Sequence, residues 1–300
     1  MSQAHYVGRF APSPTGPLHF GSLLAALASY LDARANRGTW LVRIEDVDET
    51  RCDVVYVGQI LTTLRAFGLH WDGDVAVQSQ RKPRYDKALH ALHLAGRLYA
   101  CECSRREIAD SAVAGIDGPV YPGTCRTKRL PIFNSPIPTA LRFIVDDTTR
   151  QFDDRLQGPL VQRLDVAVGD FVVKRRDGLT AYQLAVVVDD FDAGVTHVVR
   201  GADLIDSTAR QIALQTALGY PTPSYLHIPV ASNDAGEKLS KQTLAAPLNV
   251  ENAGDTLRAA LRFLNQPVGP STAPVAVVLA DAVAGWRPGT IPRILSLPVR

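Results

Sequence analysis

The chain has 300 residues, 46% hydrophobic and 21% charged, with a formal net charge of +2. That is ample for a large buried core, and so weak a net field neither demands nor excludes a nucleic-acid partner. Four cysteines are too few for a disulfide framework, and no apolar run approaches the roughly 18 residues of a membrane span, so neither a disulfide scaffold nor a membrane partner is expected.

The opening MSQAHYVGRFA lacks the charged-then-apolar order of a secretion signal, which leaves a reducing cytoplasm as the expected compartment. Tyr6 to Ala11 reads as a short buried strand. Pro12, Pro14 and Pro17 break any regular element, and Gly21 to Ala35 then carries Leu23, Leu24, Leu27 and Leu31 at helical spacing. Thr39 to Asp46 reads as a second strand, so the order strand–helix–strand predicts a parallel sheet. Helices are expected over Asp53–Phe67, stopped by Gly68, and over Pro83–Leu98. Residues 104–164 are irregular and proline-rich, as an inserted subdomain would be. Alternation returns with FVVKRRDG, LTAYQLAVVVDDF and VTHVVRGADL, followed by a helix over Ser207–Leu218 with Gly219 as its stop. HIPVASNDAGEKLSKQT is a strand running into a polar loop; a helix over Asn252–Leu264 and a mostly helical remainder close the chain.

The stretch GRFAPSPTGPLHFGS sits where open α/β sheets bind ligands, after a strand and before a helix N-terminus. Prolines restrict the loop to few shapes, and Gly16 and Gly21 let backbone approach a ligand. His19 could donate to a phosphate oxygen as charge builds on phosphorus, or simply cap the helix.

Taken whole, GRFAPSPTGPLHFGSLLAAL resembles the first signature of class I aminoacyl-tRNA synthetases of the glutamyl type, with His19–Ser22 (HFGS) in the place of the family's HIGH tetrapeptide. EKLSKQ, Glu237 to Gln242, resembles the KMSKS loop. The resemblance implies a Rossmann-type α/β catalytic domain. It also implies an ATP site, with Mg²⁺ as counter-ion, made by Pro12, His19, Gly21, Ser22, Lys238, Ser240 and Lys241. His19 and Lys241 are the catalytic pair, Lys241 placing an ammonium on the triphosphate as pyrophosphate leaves. The implied amino acid is L-glutamate. Its side-chain carboxylate calls for a guanidinium; the family's pattern offers Arg9 and Arg200 for this, with Phe10, Ala11, Pro12, Ser13, Glu45 and Tyr182 around the substrate. Read without the family, Glu45 could pair only with Arg43 or Arg51, Tyr182 could be core, and Asp189 and Asp190 cap or hold structure. His5, His70, His90, His93, His197 and His227 carry no motif and are assigned no chemistry.

Cys101, Cys103 and Cys125 are either three unrelated thiols or a metal set lacking a fourth donor, for which Tyr121 is a candidate. Cys-x-Cys…Tyr-x₃-Cys resembles the short glutamyl-queuosine tRNA(Asp) synthetases, and that resemblance implies one structural Zn²⁺ on all four residues, stapling the insert. The expected division is 1–98 and 171–245 as catalytic halves, 99–170 as the zinc-bearing insert and 246–300 as a helical tail. No anticodon-binding domain is expected after the EKLSKQ loop. A monomer is expected, and the family implies that it makes glutamyl-adenylate and passes the glutamyl group to queuosine in the anticodon loop of tRNA(Asp). A truncated glutamyl-tRNA synthetase-like ligase with another acceptor, or a non-catalytic tRNA-binding paralogue, are the alternatives.

Overall fold

The structure is a computed structural model and describes residues 5–111, 113–116, 118–133, 136–233, 237–239 and 246–299. In chain order the elements are β1 (Val7–Phe10), α1 (Phe20–Ala35), β2 (Thr39–Ile44), α2 (Val54–Ala66), β3 (Ala76–Val77), α3 (Lys82–Leu94), β4 (Leu98–Cys101), α4 (Arg105–Ser111), β5 (Ala114–Gly115) and β6 (Gly118–Pro119). They continue with β7 (Ala140–Phe143), β8 (Thr149–Asp154), β9 (Gly158–Arg163), α5 (Leu164–Ala167), β10 (Phe171–Lys174), α6 (Tyr182–Asp192) and β11 (His197–Gly201). The last are α7 (Ile205–Leu218), β12 (Ser224–Ile228), β13 (Val230–Ser232), α8 (Ala253–Phe263), α9 (Val275–Ala284) and β14 (Ser296–Pro298).

The strand–helix–strand order folds as expected. β1 and β2 pair in parallel across α1, and β2 pairs in parallel with β3. On the other side β11 and β12 pair in parallel across α7. The two parallel groups meet at β1 and Thr196, whose amide donates to the Val7 carbonyl at 3.0 Å. Leu23, Leu24, Leu27 and Leu31 are all buried, so the leucines read at helical spacing form the face of α1 that packs on the sheet. The helix ends where Gly38 turns the chain back. A Cβ there would lie 2.5 Å from the Tyr6 carbonyl oxygen, so only glycine lets β2 start against β1.

A second core joins α3, α6 and α7 to the antiparallel sheet β10-β7-β4. Within residues 99–170, β8 reaches back to pair with β12 at Asp154 and Tyr225, while the β5–β6 hairpin and the cysteines stay apart from the main sheet. Two expectations need correction. The helix expected over Pro83–Leu98 stops at Leu94, because Gly96 takes a positive φ of 65° and every residue of Leu98–Cys101 is buried as a strand against β7. The tail is not wholly helical: β14 pairs in parallel with β13. Among the described residues, no helix is long and apolar enough to cross a membrane.

Candidate active site

A cleft of about 700 Å³ opens at the carboxyl ends of β1 and β11. Every described residue assigned from the resemblance to nucleotide or amino acid lines it: Arg9, Phe10, Ala11, Pro12, Ser13, His19, Gly21, Ser22, Glu45, Tyr182, Arg200 and Lys238; Gly16, also expected to approach a ligand, does not. Ser240 and Lys241 lie outside the described residues.

At one end stands the start of α1. His19 is its N-cap: Nδ1 accepts from the Ser22 amide at 3.4 Å, and the His19 amide donates to Ser22 Oγ at 2.7 Å. Capping and cleft lining are therefore one arrangement. With Nδ1 as acceptor, the neutral ring carries its proton on Nε2. A Cβ on Gly21 would sit 3.1 Å from the His19 ring and 3.2 Å from the Leu239 carbonyl oxygen, so glycine is what lets Leu239 lie against the helix start. Lys238 pairs with Asp203 at 2.6 Å, and on the far side of the loop Pro247 forms a bridge with His19. The first signature and the described Lys238 and Leu239 of the second, over two hundred residues apart in sequence, thus share one end of the cleft.

The other end is a buried set of charges. Arg9 and Arg43 both donate to Asp190, at 3.2 and 2.6 Å, and Arg43 also reaches Glu45 at 3.0 Å. Burial opposes ionisation of Asp190, but Arg9 and Arg43 outweigh it and hold its carboxyl below the ordinary range. Burial raises the Glu45 carboxyl against the pull of Arg43 and Arg9. Burial, then the Glu45 charge, raises the Tyr182 phenol, which keeps it a neutral donor. Asp189 and Asp190 hold structure as expected: Asp189 takes Arg81 at 2.6 Å and Tyr85 at 2.8 Å.

Arg200 differs from Arg9. Its Nε donates to His227 Nε2 at 3.0 Å, Nη1 to Gln211 at 2.9 Å, and Nη2 to Thr208 at 2.8 Å and the Leu204 carbonyl at 3.3 Å. All four acceptors are neutral, and among the described residues no carboxylate lies within ion-pair distance of it. Sequence reasoning missed His227, Gln211 and Thr208. The one available signal was a histidine inside an otherwise apolar strand, YLHIP.

Away from the cleft, Cys101, Cys103 and Cys125 bring their sulfur atoms within 4.8 Å of one another. The Tyr121 hydroxyl lies 3.3 Å from Cys101 Sγ and 3.6 Å from Cys103 Sγ, while the Cys125 amide donates to it at 2.9 Å. Three sulfurs and one oxygen at such spacings fit a tetrahedral ion. The Arg142 guanidinium lies 3.7 Å above the Tyr121 ring, a cation beside what would be an anion-rich donor set.

A cleft at the carboxyl ends of parallel strands, lined by the first signature and by Lys238 and Leu239 of the second, is the arrangement that the class I synthetase resemblance implies. The family described as tRNA synthetases class I (E and Q), catalytic domain, matches residues 6–268. The glutamyl-Q tRNA(Asp) synthetase of Verminephrobacter eiseniae (strain EF01-2) is 52% identical over 297 residues, 96% of this chain and 99% of that protein. That of Dechloromonas aromatica (strain RCB) is 56% identical over 292 residues, 96% of each. The chain belongs to the class I synthetases, and within them to the glutamyl-Q tRNA(Asp) synthetase family. The same fold occurs in the crystal structure of glutamate-tRNA synthetase from Elizabethkingia anophelis, with a TM-score of 0.81 at 22% identity, covering 98% of this chain and 68% of that one.

Proposed function

We propose that this chain activates L-glutamate with ATP to glutamyl-adenylate and pyrophosphate, then transfers the glutamyl group to queuosine in the anticodon loop of tRNA(Asp). The observation that carries the reading is the single cleft. It holds a helix N-terminus with His19 at one end and at the other a cation, Arg200, whose partners among the described residues are all neutral.

In the first step the α-carboxylate of glutamate attacks the α-phosphorus, and pyrophosphate leaves. The amides at the start of α1 and the proton on His19 Nε2 face the charge that gathers on the phosphate oxygens. Lys238 belongs to the other wall of the nucleotide site; the reading also assigns Ser240 to ATP and Lys241 to the departing pyrophosphate, with Mg²⁺ travelling with ATP. Arg200 takes the side-chain carboxylate, Arg9 stands beside it, and Glu45 with Ser13 and Tyr182 receives the ammonium. Phe10, Ala11 and Pro12 form the backbone floor between the two substrates. In the second step a hydroxyl of the modified base attacks the mixed anhydride and AMP leaves. Orientation and fixed charge do the catalysis, with no covalent enzyme intermediate.

Cys101, Cys103, Tyr121 and Cys125 would hold one Zn²⁺, which supplies a cross-link to an insert with little core of its own. On this reading 1–98 and 171–245 are the catalytic halves, 99–170 the insert and 246–300 the tail.

Glutamate-dependent ATP–pyrophosphate exchange tests the first step, and labelled glutamate offered to tRNA(Asp) with and without queuosine tests the second. Exchange without tRNA, and label retained only on the queuosine-containing tRNA, is expected. Label retained regardless of queuosine would point to a ligase with another acceptor. No binding of ATP or glutamate would leave a tRNA-binding paralogue.

A further inference from the structure

We propose that His227, held by Asp154, is a positioning residue that fixes Arg200 for a substrate carboxylate without neutralising it, and so sets the preference for an acid over its amide. This rests on the proposed function of the cleft.

Three neighbouring strands build the device. Asp154 ends β8, His227 lies in β12 and Arg200 in β11, and the strands are adjacent in one sheet. His227 and Asp154 have fully buried side chains, 2.6 Å apart from Nδ1 to Oδ2. Asp154 is itself pinned, since the amides of Leu156, Gln157 and His227 all donate to it. A carboxylate accepts only, so Nδ1 carries the proton and Nε2 is left as a lone pair. That lone pair faces Arg200 Nε at 3.0 Å.

The tautomer therefore has one consequence: the ring can receive the guanidinium and cannot repel it. Gln211 and Thr208 on α7 complete the cradle from the other side. Gln211 is oriented in turn, its amide donating to Gln183 at 3.1 Å, and Gln183 donates to Ser207 at 3.0 Å. Each acceptor fixes direction while leaving the positive charge in place. A carboxylate at position 227 would fix direction as well but would cancel that charge, as Asp190 does for Arg9. The negative charge of Asp154 is kept one ring away.

The test is pyrophosphate exchange with purified full-length protein, with glutamate and glutamine compared at saturating ATP. His227→Phe keeps a ring and removes the acceptor; His227→Gln restores an acceptor; Thr208→Val removes a second acceptor at constant volume. The expected result is a KM for glutamate raised about tenfold or more in H227F and a few-fold in T208V. H227Q should recover most of it. In all three the KM for ATP should stay within about twofold, and the ratio of glutamate to glutamine kcat/KM should fall with the rise in KM. If H227F does not fold, as its thermal transition will show, T208V and H227Q decide.

Glutamate KM and the acid-to-amide ratio unchanged in the folded variants would overturn the proposal. So would equal rises in KM for ATP and glutamate, which mark a general loss of structure. Wild-type protein that exchanges with another amino acid and not with glutamate would instead overturn the proposed function.

Discussion

Asp32 is the carboxylate on which the two ends of the chain depend, and its removal should be felt throughout the fold. It lies on α1 with no solvent exposure. It accepts from the Tyr6 hydroxyl at 2.5 Å, from Arg155 through two nitrogens at 2.6 and 2.9 Å, and from the Trp286 indole at 2.9 Å. The residue before β1, the β8–β9 turn and the segment after α9 are thus tied to one helix. Burial opposes its ionisation, but Arg155 and the two neutral donors outweigh it and hold the carboxyl below the ordinary range. Asp32→Asn keeps the shape, removes the charge and turns an N–H₂ toward groups that are all donors. Removing one partner of a buried ion pair costs about 3–5 kcal/mol. Arg155 retains 31% side-chain exposure and can regain water, so the lower end applies, about 3 kcal/mol. At about 2 °C per kcal/mol for a chain of this size, the thermal midpoint should fall by about 6 °C. Trp286→Phe, which removes one neutral donor, should cost about 1 kcal/mol, near 2 °C. Differential scanning calorimetry at neutral pH measures both. A fall in D32N no greater than in W286F would refute the idea that the charge, rather than the shape, of Asp32 holds these segments.

Gly21→Ala should raise the KM for ATP roughly fivefold in pyrophosphate exchange and leave that for glutamate nearly unchanged, since the new Cβ presses on His19 and Leu239 and not on Arg200. Metal analysis of purified protein should give about one zinc per chain; Cys103→Ser should lower it severalfold, while Cys52→Ser should not. Thermal stability should fall as the pH is lowered through the histidine range: burial, with Arg200 adding to it and Asp154 opposing, lowers His227 to about 4. The unfolded chain then takes up a proton that the fold excludes. The stabilisation is full above about pH 6.5 and is lost progressively toward pH 4, by at most about 3 kcal/mol. Calorimetry across that range should show a shallower pH dependence for H227Q than for wild type.

The elements that could be read from the sequence are those whose burial pattern is local. The leucines of α1 repeat at helical spacing because one face meets the sheet, and Gly219 caps α7 with a φ of 70° because nothing else there takes that shape as readily. β4 was hidden because it is four residues long and buried on both faces, so it shows no alternation, and its first residue, Leu98, reads as the end of the helix before it. β14 was hidden because its pairing with β13 depends on a contact some sixty residues away that no local pattern records. The site divides in the same manner. Residues on the two signatures could be located from their order in the chain. The residues that orient Arg200 could not, because Asp154, His227 and the pair Thr208 and Gln211 come from three separate elements and each by itself is an ordinary polar residue.

The contrast between two arginines carries the electrostatic logic of the cleft. Both are buried, at 4% exposure each. Arg9 shares Asp190 with Arg43, and Arg43 also holds Glu45, so this end already contains most of its own counter-charge. A ligand that brought only a negative charge would add little there, and Glu45 favours the opposite sign. Arg200, cradled by neutral acceptors, is the place where an added carboxylate completes a pair instead of competing with one. An amide in that position would accept from the guanidinium but leave the buried charge unanswered, and sites that hold such charges reject neutral analogues strongly. On the proposed reading, a ligand with an ammonium for Glu45 and a distal carboxylate for Arg200 answers the unlike charges along this wall as its amide does not, and the sheet that sets Arg200 beside His227 maintains the difference.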